Sequence, residues 1–171
     1  MNMYPSFTNL RSFTSYKFSM LRMRALRDIF WAKLTGRDTK LATIPKHEQQ
    51  NNSNRRLLGT KEIPVEKIIG SFNRVNDFDY QFRPLSKHLS DRWVNTYITL
   101  ERDGWSPILV HKIGEDYYVE DGHHRVSVAQ SIGMAFIEAK VWEYSVPREQ
   151  TETCQSTRCP ERSSSKAYAP G

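Results

Sequence analysis

Cysteine is nearly missing from this sequence: among 171 residues only Cys154 and Cys159 occur, five apart in a polar C-terminal stretch. A lone C-x4-C pair is neither a disulfide framework nor a zinc signature, so free surface thiols are expected. Long apolar runs are lacking too. None approaches the ~18–20 residues that a membrane span requires. Acidic residues are absent before Asp28, where Arg, Ser and Phe are frequent. That bias suits an organelle transit peptide, and the basic arm of a cytoplasmic protein explains it equally well. A cytoplasmic location is the expectation. No internal repeat occurs.

Apolar content is modest, with a mean hydropathy of −0.66, which suggests unfolded flanks around one domain. The net charge of +6 is unevenly spread. Residues 1–58 hold 11 Lys/Arg against 3 Asp/Glu, whereas residues 59–144 hold 10 against 13. The basic character therefore belongs to an N-terminal arm. The mildly acidic domain carries no general footprint for nucleic acid.

Residues 1–18 mix Ser, Thr, Phe and Tyr without period and read as poorly ordered. A helix is expected over 20–35, with Met23, Leu26, Phe30 and Leu34 recurring on one stripe and arginines interspersed. Such a basic amphipathic helix suits an anionic membrane or DNA phosphates. Packing of its stripe on the following domain, or on a partner chain, is the preferred reading. Thr39–Arg56 is a linker by composition, and residues 145–171 are a polar tail with nothing to pack.

The domain is expected over 59–144. Glu62–Val65 is a short strand whose Pro64 suits a sheet edge. Lys67–Gly70 leads into a charged loop over 71–85. Ser90 is the expected N-cap of a helix with Val94, Tyr97 and Ile98 on its apolar face, ended by Asp103-Gly104. Ile108–Val110 and Tyr117–Val119 form a hairpin, a second helix ends at Gly133, and Phe136–Trp142 alternates as a last strand. This order gives a small α+β sheet domain with flanking helices.

The chemistry concentrates at Glu120-Asp-Gly-His-His-Arg125. A strand, a tight Gly122 turn and a helix start bring unpaired N–H groups and the positive end of the helix dipole to one point. His123, His124 and Arg125 add donors there, so a phosphate-binding turn, and with it a nucleotide or phosphoryl-transfer site, is expected. Adjacent histidines diverge by about 100° on a helix, which argues against a resident metal pair. An N-cap role or a place beside the ligand both account for Asp121. With a polyphosphate present, that carboxylate implies Mg²⁺ nearby.

Ile63–Val65, Ser106–Val110, Tyr117–Val119, Asp121–Arg125, Ala129, Gly133 and Ile137–Ala139 together resemble the ParB/sulfiredoxin-like domain, over about half the chain. The G-x-x-R-x-x-x-A-x-x-x-G core is matched by Gly122, Arg125, Ala129 and Gly133. The resemblance implies a nucleotide-binding fold whose turn holds the phosphates of ATP, ADP or CTP. Its members include partition proteins, sulfiredoxins, free serine kinases and nucleases. His123 stands where sulfiredoxins carry their reactive Cys. His123-His124 replaces the Glu-Arg of partition proteins, and only 27 residues follow Tyr144. The turn is most similar to the small-molecule kinase branch and to short stand-alone members. In those kinases a loop acid serves as base, for which Asp77 and Asp79 are the candidates here. NTP hydrolysis or phosphoryl transfer to a small hydroxyl is thus the expected activity. A DNA-associated protein using its basic arm is the alternative, with the oligomeric state open.

Overall fold

The computed structural model describes residues 7–44 and 55–144. Helix α1 (Phe7–Thr35) is followed by strand β1 (Ala42–Thr43), β2 (Arg55–Pro64) and β3 (Ile68–Ser71). Then come α2 (Ser90–Asp103), the hairpin β4 (Ile108–Ile113) and β5 (Asp116–Asp121), α3 (His123–Ile132) and β6 (Phe136–Tyr144). Short 3₁₀ turns at Val65–Lys67 and Lys87–Leu89 precede β3 and α2. The residues expected to form the tail, with both cysteines, and most of the expected linker lie outside the described residues.

The six strands form one mixed sheet in the order β1-β3-β5-β4-β6-β2. β3 runs parallel to both β1 and β5, β4 runs parallel to β6, and β5–β4 and β6–β2 are antiparallel. β6 shows why this chain makes strands here. Its odd positions Ile137, Ala139 and Val141 are buried while Glu138 and Lys140 are exposed, the period-two pattern of a sheet with one packed face. β2 is an edge strand, and Pro64 is its last residue, where a missing N–H costs no ladder bond.

Trp93 of α2 is fully buried and joins all three helices. Its indole N–H donates to Ser127 Oγ of α3 at 3.0 Å, and its ring lies 5.8 Å from that of Phe18 on α1. Burial of this one side chain contributes about 3 kcal/mol of apolar stabilisation.

Five expectations are corrected. Within the expected linker Thr39–Arg56, Ala42–Thr43 forms β1 beside β3, Leu41 and Ile44 are buried, and Arg55–Arg56 already belong to β2. Phe7–Phe18 is helical, so α1 starts much earlier than residue 20. Its stripe of Met23, Leu26, Phe30 and Leu34 faces outward, while Phe18, Ala25 and Ala32 are buried. The helix is apolar on two faces, and periodicity alone does not choose between them; the face with alanines allows the closer approach. Ile68–Ser71 is a strand rather than a loop entry, too short to announce itself among its polar neighbours. Ser90 is already helical and caps nothing, because the 3₁₀ turn before it supplies the entry to α2.

Candidate functional site

β3 and β5 are parallel neighbours, and their carboxyl ends, Ser71 and Asp121, open at the same place. Beyond them the chain turns on Gly122, with φ of 104° and ψ of 19°, and enters α3. A Cβ at this position would lie 2.5 Å from Ile108 Cγ2, so both conformation and space demand glycine. The first amide of α3 to meet a backbone acceptor is that of Val126, bonded to Gly122 O at 3.0 Å. The amides of His123, His124 and Arg125 are therefore left at the helix start, and no side chain among the described residues caps them. Asp121, expected as either cap or ligand neighbour, does not cap: its Oδ2 accepts from Arg125 NH2 at 2.6 Å.

The two histidines have separate roles, as their divergence on the helix requires. Ser71 Oγ accepts the amides of Asn73 and Arg74 and lies 2.7 Å from His123 Nε2. With both oxygen lone pairs used, the hydroxyl proton points to Nε2, which fixes the ring proton of neutral His123 on Nδ1. Ser71 is fully buried and positions the turn. His124 is also buried, and neither of its ring nitrogens has a hydrogen-bond partner among the described residues. An orphaned buried imidazole costs about 1–3 kcal/mol unless something satisfies it.

Burial, aided by Arg74 and Arg92, lowers the pKa of His123 and of His124 to about 4. Both rings are thus neutral at pH 7. The unfolded chain, with histidines near ~6.5, binds more protons than the native one as pH falls between these values. Stability should decline through that window, by about 5 °C or more in Tm from pH 6.5 to pH 4. Thermal melts across the window check this, and His124→Gln should flatten the dependence.

Around the turn is a polar cleft of about 240 Å³, lined by Glu120, Asp121, the two histidines, Arg74 and Arg92 among others. Arg92, on α2, makes no side-chain hydrogen bond or ion pair to any described residue. Arg74 NH1 reaches Asp77 Oδ2 at 3.2 Å. Glu120 accepts from Nε2 of His111, a fully buried residue of β4 stacked on Phe72. Burial lowers the His111 pKa more than Glu120 raises it.

The expected residues part company here. Gly122, His123, His124, Asp121 and Arg125 are brought together at the cleft. Arg125, however, spends its guanidinium on the chain before β4, donating to Ser106 O at 2.6 Å and Pro107 O at 3.1 Å as well as to Asp121. Asp77 is not among the lining residues and is tied to the cleft only through its bond with Arg74, which lines it. Asp79 does not line it. Its buried carboxylate accepts the amides of Gln81 and Arg83 and the Arg83 side chain at 2.7 Å. Arg83 continues to Asp28 of α1 at 2.7 Å, so Asp79 ties the loop to the helix. Nothing in the sequence points to Arg92, Ser71 or His111 as members of the site. Arg92 belongs to a different helix from Arg125, far back in the chain, and only the packing of α2 on α3 brings it in.

No protein-family model matches the chain, and no curated protein shows significant similarity to it. Among solved structures, sulfiredoxin from Arabidopsis thaliana matches with 24% identity and a TM-score of 0.37, over 48% of this chain and 82% of that one. A likeness this loose carries no functional argument. The function has to be read from the site.

Proposed function

We propose that the cleft at the start of α3 binds the phosphate groups of a nucleoside di- or triphosphate. One observation carries this reading: the helix start, uncapped among the described residues, lines the same cleft as Arg92, whose guanidinium is unpaired among them. The dipole of α3, the free amides and the arginine all favour negative charge, and phosphate oxygens accept from each. Carbonyl ligands would use the amides without needing Arg92 or Arg74.

A divalent cation fits only together with the nucleotide. Among the described residues no group of three or more His, Cys, Asp or Glu side chains converges on one point. Mg²⁺ would be held by Glu120 or Asp121 and by phosphate oxygens, the sharing that Mg²⁺ commonly adopts. It would offset the repulsion between these carboxylates and the ligand. Hydrolysis, or transfer to a small hydroxyl, is the activity in keeping with this arrangement. Asp77, paired with the cleft-lining Arg74, is the base in that reading, and Asp79 belongs to the loop anchor. Arg92 and the turn amides would stabilise charge on the transferring group.

Titration calorimetry with ATP, ADP, CTP and GTP, with and without Mg²⁺, tests the proposal. Binding of at least one nucleotide, strengthened by Mg²⁺ and competed by inorganic pyrophosphate, is expected. Failure of all four to bind the folded chain would sink it.

A further inference from the structure

α1 is apolar on two faces, and the described residues cover one of them. Thr14, Phe18, Ala25 and Ala32 share the buried line. On the other side Phe13, Tyr16, Met23, Phe30, Trp31 and Leu34 are each 50–65% exposed. At ~1.5 Å per residue this outward face runs for about 30 Å. Scattered apolar residues on a surface need no account, but a continuous ridge of this length marks a docking face.

What docks there is narrowed by charge. Between Phe7 and Thr35 the helix holds six Lys/Arg and one acid, Asp28, whose carboxylate is taken up by Arg83 and Arg27. Arg24 and Lys33 fall on opposite borders of the outward face by the 100° helical step, and Arg27 lies within it. A second copy would set two such helices together, with both Arg27 side chains inside the contact and no acid beyond the shared Asp28 to offset them. Nor does the rest of the chain suit the role. Residues 45–54 contain no apolar side chain other than Pro45, and 145–171 contain few large ones. A surface that is both negative and able to accept protruding side chains fits all of this.

We propose that the outward face of α1 lies flat on a bilayer containing anionic phospholipid. Its Phe, Met, Leu and Trp side chains enter the boundary of the acyl region, and Arg24, Arg27 and Lys33 meet the headgroups, while Arg11 and Arg22 stay on the domain. Tyr16 and Trp31 have the amphipathic rings that favour that depth. No helix among the described residues is long and apolar enough to cross a membrane, so the contact is interfacial. Membrane binding through α1 is independent of the phosphate cleft.

Flotation of the full chain with vesicles of phosphatidylcholine, alone or with about one-third phosphatidylglycerol, tests it. Retention on the anionic vesicles should exceed that on neutral ones at least ~10-fold and fall as salt shortens the screening length below about 10 Å. Met23→Glu/Trp31→Glu changes two exposed residues, so circular dichroism and melting should be unaltered while vesicle binding drops at least ~10-fold. Arg24→Gln/Lys33→Gln should weaken binding to anionic vesicles alone. Absence of flotation would overturn the proposal. So would binding that the double glutamate variant leaves intact, or a wild-type dimer that this variant dissolves.

Discussion

Gly122→Val is expected to remove nucleotide binding and to cost about 3 kcal/mol or more of stability. Two separate penalties act at this residue. A β-branched side chain at φ of 104° is strained by about 1–3 kcal/mol. Its Cβ would also stand 2.5 Å from Ile108 Cγ2, and Ile108 is a fully buried core residue that has no room to retreat. Overpacking of that kind adds about 1–3 kcal/mol. Relief comes by moving the turn away from β4, which displaces the amides of His123 and His124 from the cleft. Chemical denaturation followed by circular dichroism gives the stability change. Binding is then read at a temperature where the variant is still folded, so that loss of the site is separated from loss of the fold.

Arg92→Ala is expected to weaken nucleotide binding about 10- to 100-fold while leaving stability nearly unchanged. The guanidinium has no partner among the described residues, so its removal orphans nothing there in the free protein. In the complex it contributes charge-assisted bonds to phosphate, worth about 1.5–3 kcal/mol, the source of the expected factor. Arg125→Ala makes the contrasting case. Its side chain holds Ser106, Pro107 and Asp121, so that variant should lose stability along with affinity. Calorimetry on both variants, set beside their melting temperatures, checks the pair.

The contrast between these two arginines shows what the sequence reveals and what it does not. The Gly122 turn, the hairpin before it and the helix ending at Gly133 are local features, written in turn chemistry and short periods. So is the alternation of β6. The partners of polar side chains are set by distant packing instead. Arg125 is near the cleft but turned to the chain before β4, and Arg92 arrives from α2 because Trp93 buries itself against α3. Asp79 illustrates the same point. It stands in a loop that reads as charged and solvated, yet Arg83 and Asp28 draw it inside. On α1 the apolar residues are visible, but the face that packs is decided by the alanines that let helices approach, not by the largest side chains.

Everything proposed for the cleft depends on phosphate being seated on the uncapped start of α3. Amide chemical shifts in ¹⁵N-labelled protein, followed during titration with Mg²⁺ and ATP and separately with inorganic pyrophosphate, report on that seat residue by residue. The largest shifts are expected at His123, His124 and Arg125, saturating together. Saturable shifts confined to other elements, or none at this turn, would refute it.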